Sequence, residues 1–137
     1  MSIPERFRFP PPVAELIGLE FHGAEDGVSR MSLEAGERHS NPMGTVHGGI
    51  LCDLADAAMG TAWASQLEDG ETFTTLELKI NYLRPVWAGT LLAEGRVVHR
   101  GRTVGLVECD VRDADGRLLA RASSTCMTLR GDSAAGR

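Results

Sequence analysis

Residues 41–66 read NPMGTVHGGILCDLADAAMGTAWASQ. Asn41-Pro42 and Gly44 interrupt regular structure, so the stretch opens as a loop. From about His47 to Gln66, Leu51, Leu54, Ala55, Ala58 and Ala62 recur at three- and four-residue spacing. That spacing predicts a helix ~30 Å long at about 1.5 Å per residue. Ala55, Ala57, Ala58, Gly60, Ala62 and Ala64 leave the helix without a clear polar face. A helix of that kind is buried, and its small residues let other backbone come close on several sides. Whatever fold the chain adopts must close around this segment.

The flanking sequence supplies strands. Residues 19–24 and 28–35 form two strand-like runs joined at Glu25-Asp26-Gly27, and Asp-Gly is a strong hairpin signal. Residues 13–19 suggest a short helix after a Pro-rich lead-in over residues 1–12, where Pro10, Pro11 and Pro12 forbid a regular helix or central strand. After Glu68-Asp69-Gly70 come runs at residues 73–83, 91–99, 103–111 and 118–129. Alternation over 73–83 sends Leu76, Leu78, Ile80 and Tyr82 to one face and Thr75, Glu77, Lys79 and Asn81 to the other. Arg100-Gly101-Arg102 and Asp113-Ala114-Asp115-Gly116 are short links, which make consecutive antiparallel neighbours. Residues 131–137 read as a flexible tail. The order is two strands, one long buried helix, then four strands: an α+β single domain over residues 1–137, with one helix against one antiparallel sheet.

Composition narrows the function. No apolar run reaches the ~20 residues needed to span a bilayer, and the N-terminus lacks the apolar centre of a secretory signal. Net charge is −5 with Lys and Arg scattered, which argues against a nucleic-acid surface. Cys52, Cys109 and Cys126 are far apart and odd in number, so reduced thiols in the cytosol are expected rather than disulfides or a cysteine zinc site.

Two places in the organising stretch carry chemistry. Asp56 has Cys52, Met59, Gly60 and Trp63 as uncharged helical neighbours. An acid in apolar surroundings must be paired, open to a cleft, or shifted in pKa. Asp53, the other helical acid, lies nearer the positive end of the helix dipole, where a solvated or dipole-paired acid is the simple reading. At Gly48 and Gly49 the helix start leaves backbone N–H groups unpaired and unshielded by side chains, open to a carbonyl oxygen or oxyanion. His47 fits a general base, a metal ligand or a loop-pinning residue, although His39, His47 and either acid match no familiar metal spacing. Asn41 fits a turn former beside Pro42 or an amide that positions water. No phosphate-loop or dinucleotide fingerprint occurs, so no cofactor is expected.

Taken together, Asn41, Gly44, His47-Gly48-Gly49 and Asp56, nine residues past the histidine, resemble the signature of hotdog-fold acyl-CoA thioesterases of the phenylacetate-degradation (PaaI-like) group. The later INYLRPVWAGTLLAEGRVVHRGRT resembles that family's strand, Arg-Pro corner and hairpin. The resemblance spans roughly residues 14–130. It implies a hotdog fold, a long helix wrapped by a curved sheet, in homodimers that often assemble into homotetramers. It implies cofactor-free hydrolysis of an acyl-CoA, with active sites at the dimer interface. Asn41, His47 and Gly48 would come from one subunit, and Asp56 and a strand hydroxyl from the other. Alignment back from Tyr82 makes that hydroxyl Thr75, with Thr74 as the rival. Gly48 N–H would polarise the carbonyl, Gly49 would line the approach, and Asp56 would act as base or nucleophile. Arg84, Arg100 and Arg102 are the candidate cations for CoA phosphates. Along one helix Gly48 and Asp56 lie ~12 Å apart, too far to meet on one carbonyl, which independently calls for a partner chain. The rival readings are a non-catalytic acyl-CoA sensor on the same fold and a hotdog dehydratase or hydratase.

Overall fold

The computed structural model describes residues 3–137. A short helix α1 (Pro12–Ile17) leads into hairpin β1 (Leu19–Glu25) and β2 (Val28–Ala35). Helix α2 (Gly48–Ala64) follows, then β3 (Thr72–Tyr82), β4 (Gly89–Arg100), β5 (Val104–Asp113) and β6 (Leu118–Leu129). The six strands form one antiparallel sheet in the order β1-β2-β4-β5-β6-β3. Helix α2 lies across its concave face, which is a hotdog fold as the resemblance implied.

Local chemistry explains the elements. Asp26 and Gly27 adopt φ of 50° and 82°, the left-handed pair a tight hairpin needs. Pro12 occupies the first turn of α1, where its missing N–H costs nothing, so this helix starts one residue before the expected one. His47 caps α2 by accepting from Gly49 N–H through Nδ1 at 2.9 Å.

The inner sheet face and α2 share one core: Leu33, Leu54, Ala55, Ala58, Trp63, Leu91, Val107 and Val111 are all buried. Two glycines let the sheet reach the helix. A Cβ on Gly95 of β4 would collide with the Ala58 carbonyl, and one on Gly105 of β5 would strike the Trp63 ring at 2.7 Å. Trp63 is fully buried, and its indole N–H donates to Thr128 Oγ1 at 3.2 Å. The Arg100 guanidinium stacks on that ring at 4.0 Å. Trp63→Ala is therefore expected to cost about 3–5 kcal/mol in urea unfolding, as for other large-to-small changes in packed cores.

Strand β3 departs from simple alternation. Its pairing with β6 skips Leu76, where a bulge shifts the register between Thr75 and Glu77. Leu76 stands out at 54% exposure. Thr75 moves to the face of Leu78 and Ile80, which pack against the core, and of Tyr82, which touches α2. The expectation that Thr75 and Tyr82 face opposite ways thus fails, because one extra residue reverses the phase of a two-residue period.

Strands β1 and β3 are the two sheet edges. Beside the β3 edge Tyr82, Leu83 and Trp87 are more than half exposed, as is Met43 in the loop before α2. Met59 and Trp63 are core. Among the described residues, no helix is long and apolar enough to cross a membrane.

Candidate active site

The loop before α2 is held by Asn41. Its Oδ1 accepts from Met43 N–H at 3.0 Å and Thr45 N–H at 3.1 Å, and its Nδ2 donates to Thr45 Oγ1 at 2.7 Å. Both carbonyl lone pairs and one amide hydrogen are thereby used on the loop, so Asn41 forms the turn and, among the described residues, keeps its second amide hydrogen uncommitted. Val46 N–H donates to the Val86 carbonyl at 2.6 Å, bracing this loop against the corner that follows Arg84-Pro85. His47 N–H donates to the buried His39 carbonyl at 2.8 Å. His39 Nδ1 accepts from Gly36 N–H, so its Nε2–H donates to the Ile17 carbonyl at 2.8 Å. Together these bonds fix where the helix starts.

At that start, Gly49 N–H is taken by the His47 ring. Nδ1 is therefore an acceptor, and the neutral ring carries its proton on Nε2. Gly48 contributes differently: its carbonyl accepts from the Tyr82 hydroxyl at 2.9 Å. The Tyr82 ring lies so close to Gly48 that an added Cβ would stand 2.9 Å from it. Gly48, Asn41, Tyr82 and Arg84 line one hollow. Tyr82 was not among the expected site residues. Nothing in its alternating strand distinguished it from a core-facing residue, and its contact with Gly48 spans 34 positions.

The acid stands elsewhere. Asp56 Oδ1 accepts from the Thr75 hydroxyl at 3.5 Å, at the limit of hydrogen bonding. Thr74 lies on the opposite strand face, paired with Met127. Asp56 keeps an open side in the single chain, yet the cavity wall crowds its carboxyl. That burial raises its pKa above the ordinary value, the Thr75 hydroxyl pulls it back, and Asp53 pushes it up again. Asp53 lines the same cavity, so Asp56 has a charged neighbour after all. The cavity measures about 750 Å³. Besides the acids it is walled by residues 3–11, which fold back over it and include Arg6 and Arg8, by mainly apolar residues of α1, β1, β2, α2 and β3, and by Gly136 and Arg137.

Cysteine chemistry is absent from this picture. Burial, then Asp56 and Asp53, push the Cys52 thiol up. Burial raises Cys126 as well, and Cys109 is pushed up to about 12. Each is a thiol at neutral pH, so none offers a thiolate.

The structure thus brings Asp56 to Thr75, and Gly48 to Asn41 and Arg84, but lines a separate hollow with each group, while His47 reaches Gly49 at the helix start without lining either. Arg100 and Arg102 line a third hollow at the C-terminal end of α2, with Gln66 and Glu71. Arg100 donates to the Trp63 carbonyl, Gln66 Oε1 and Thr128 Oγ1 while it stacks on Trp63. That engagement is structural, and the sequence held no sign of it.

Comparison with known proteins identifies the family and the fold. The thioesterase superfamily model matches residues 43–120. A 1,4-dihydroxy-2-naphthoyl-CoA hydrolase of Listeria monocytogenes is 31% identical over 81% of this chain and 90% of its own length. Among solved structures, a conserved protein of Pseudomonas aeruginosa superposes with TM-score 0.85 at 36% identity, covering 92% of this chain and all of the other. The PaaI protein of the Escherichia coli phenylacetic acid degradation operon superposes with TM-score 0.82 at 25% identity, over 89% and 87% of the two chains.

Proposed function

The chain belongs to the thioesterase superfamily and is a thioester hydrolase; from that premise we propose that it cleaves an acyl-CoA at a site completed by a second copy of itself. The observation that carries this is the separation of Gly48 and Asp56 into two hollows on one rigid helix, eight residues and ~12 Å apart. One thioester carbonyl needs both an electrophilic donor and a base within hydrogen-bond reach.

The open β3 edge supplies the means of pairing. Antiparallel edge-to-edge pairing of two β3 strands, centred on Lys79 with the bulged Leu76 left out of the ladder, sets Thr75 of one copy across from Tyr82 of the other. Thr75 marks Asp56 and Tyr82 marks Gly48, so the two half-sites then meet twice per dimer. Such pairing also covers the exposed side chains beside that edge.

In the completed site the Gly48 N–H polarises the carbonyl, at a helix start where negative charge is favoured. Asp56 takes a proton from water as the water oxygen adds to the carbonyl carbon. The C–S bond then breaks, and CoA leaves as the thiol with that proton. Thr75 holds the Asp56 carboxylate, while Asn41 and His47 keep the loop and Gly49 in place. Arg84, exposed beside Gly48, meets the CoA phosphates; Arg100 belongs to the fold. Hydrolysis in ¹⁸O-water tests the base role: label enters only the product acid, whereas label in the Asp56 carboxylate after one turnover contradicts it.

The pKa balance predicts two shifts of opposite sign. Base catalysis needs ionised Asp56, so activity falls as pH drops through its raised pKa. Thr75→Ala removes a bond to the carboxylate and should move this acid limb to higher pH, with a loss in kcat/KM. Asp53→Asn removes a neighbouring negative charge and should move the limb to lower pH, with most activity retained. The pH–rate profiles of the two variants check both signs.

A further inference from the structure

The Pro-rich residues 3–11 have no part in the chemistry above, yet they lie in the same cavity as Asp56 and Thr75. Ile3 is buried there against Ala24 and Ala64. Phe9 stacks edge-on with Phe21 at 4.7 Å, and Phe7 is 6.4 Å from Phe73. These contacts fix the segment over the groove between α2 and the first hairpin. Phe7 and Phe9 line this cavity together with Ala57 and Gly60 of α2 and Met31 of β2.

We propose that residues 3–11 form the outer wall of the acyl pocket, and that Phe7 and Phe9 make the enzyme select a bulky apolar acyl group over a short one. The assignment takes its functional meaning from the hydrolase reading. Three observations converge on it. The cavity contains the acid that would meet the reacting carbon. Its volume, about 750 Å³, fits the range of small-molecule pockets and far exceeds an acetyl group. Its walls away from Asp53 and Asp56 are chiefly apolar and aromatic, with Arg6, Arg8, Arg137, Thr61 and Thr75 as the polar exceptions. An acyl tail that leaves the carbonyl at Asp56 thus runs into a chamber walled on one side by the chain's own N-terminal segment. Burial of several methylenes or an aryl ring against Phe7 and Phe9 is worth at least about tenfold in affinity.

Calorimetric binding of two non-hydrolysable thioethers, octyl-CoA and methyl-CoA, tests this without relying on turnover. Wild-type protein should bind octyl-CoA at least about tenfold more tightly, and Phe7→Ala/Phe9→Ala should reduce that preference about tenfold or more. Equal affinities in the wild type, or an unchanged preference in the folded double variant, would overturn the proposal. If the double variant does not fold, Ala57→Leu fills the chamber from the helix side and should reduce the same preference; an unchanged ratio there is equally fatal. Thiol release from octanoyl-CoA and acetyl-CoA is measured alongside. A wild type that discriminates between the thioethers but releases no thiol leaves the pocket standing and removes the hydrolase reading.

Discussion

Asp56→Asn is expected to lower thiol release from a good acyl-CoA by ~10²–10⁴-fold, the usual weight of a positioned general base. The amide keeps the size of the carboxylate and can still meet Thr75, so substrate affinity should change little and the loss should fall on kcat. Stability should not fall with it. Burial raises the Asp56 pKa, so the folded state favours the protonated acid over the carboxylate. The stability this group adds is present below its unfolded pKa and is lost as pH rises through the raised folded value. At neutral pH the ionised acid therefore costs the fold, and neutral Asn removes that cost. Full turnover in the variant would remove Asp56 from the chemistry; a lower melting temperature would contradict the electrostatic description of its cavity.

Gly48→Pro is expected to lower kcat by ~10²–10³-fold, the loss typical of one oxyanion donor. Most substitutions of a backbone donor leave the N–H in place, but this one deletes it. The local backbone suits proline: Gly48 is the first helical residue, and His47 before it has φ −59° and ψ 134°, the extended geometry a pre-proline residue prefers. The new ring meets the Tyr82 side chain, which lies on the exposed surface and has room to turn. Circular dichroism should therefore match wild type while turnover collapses. A folded Gly48→Pro enzyme with wild-type kcat would mean that another group polarises the carbonyl.

Much of the molecule was legible because it depends on local spacing. The 41–66 stretch carries its own start signal in the Asn41 turn and the paired glycines, and its small residues announce close backbone approach, which Gly95 meets from β4. Asp26-Gly27 fixed the first hairpin through dihedral angles that few other residues accept. Nonlocal contacts were less legible. Thr75 reaches Asp56 only because β3 bulges at Leu76, and a bulge depends on the register of β6 as much as on β3 itself. Tyr82 looked like any inward strand residue until the fold set it against Gly48. Arg100, in a turn rich in arginine, resembled a surface cation but spends its guanidinium on Trp63 and the end of α2. Phe7 and Phe9 sit among prolines that exclude regular structure, yet irregular backbone still packs its side chains.

The central claim is that neither chain holds a complete site. Mixing Asp56→Asn with Gly48→Pro protein tests it most directly. Each variant alone lacks one group at both sites. In a mixed dimer, the intact Asp56 of one chain meets the intact Gly48 of the other at one of the two sites. About half the dimers are mixed after subunit exchange, so about a quarter of wild-type thiol release should return. Activity no greater than the sum of the two separate variants, with exchange verified by mass spectrometry, would place both groups at work within a single chain and contradict the shared site.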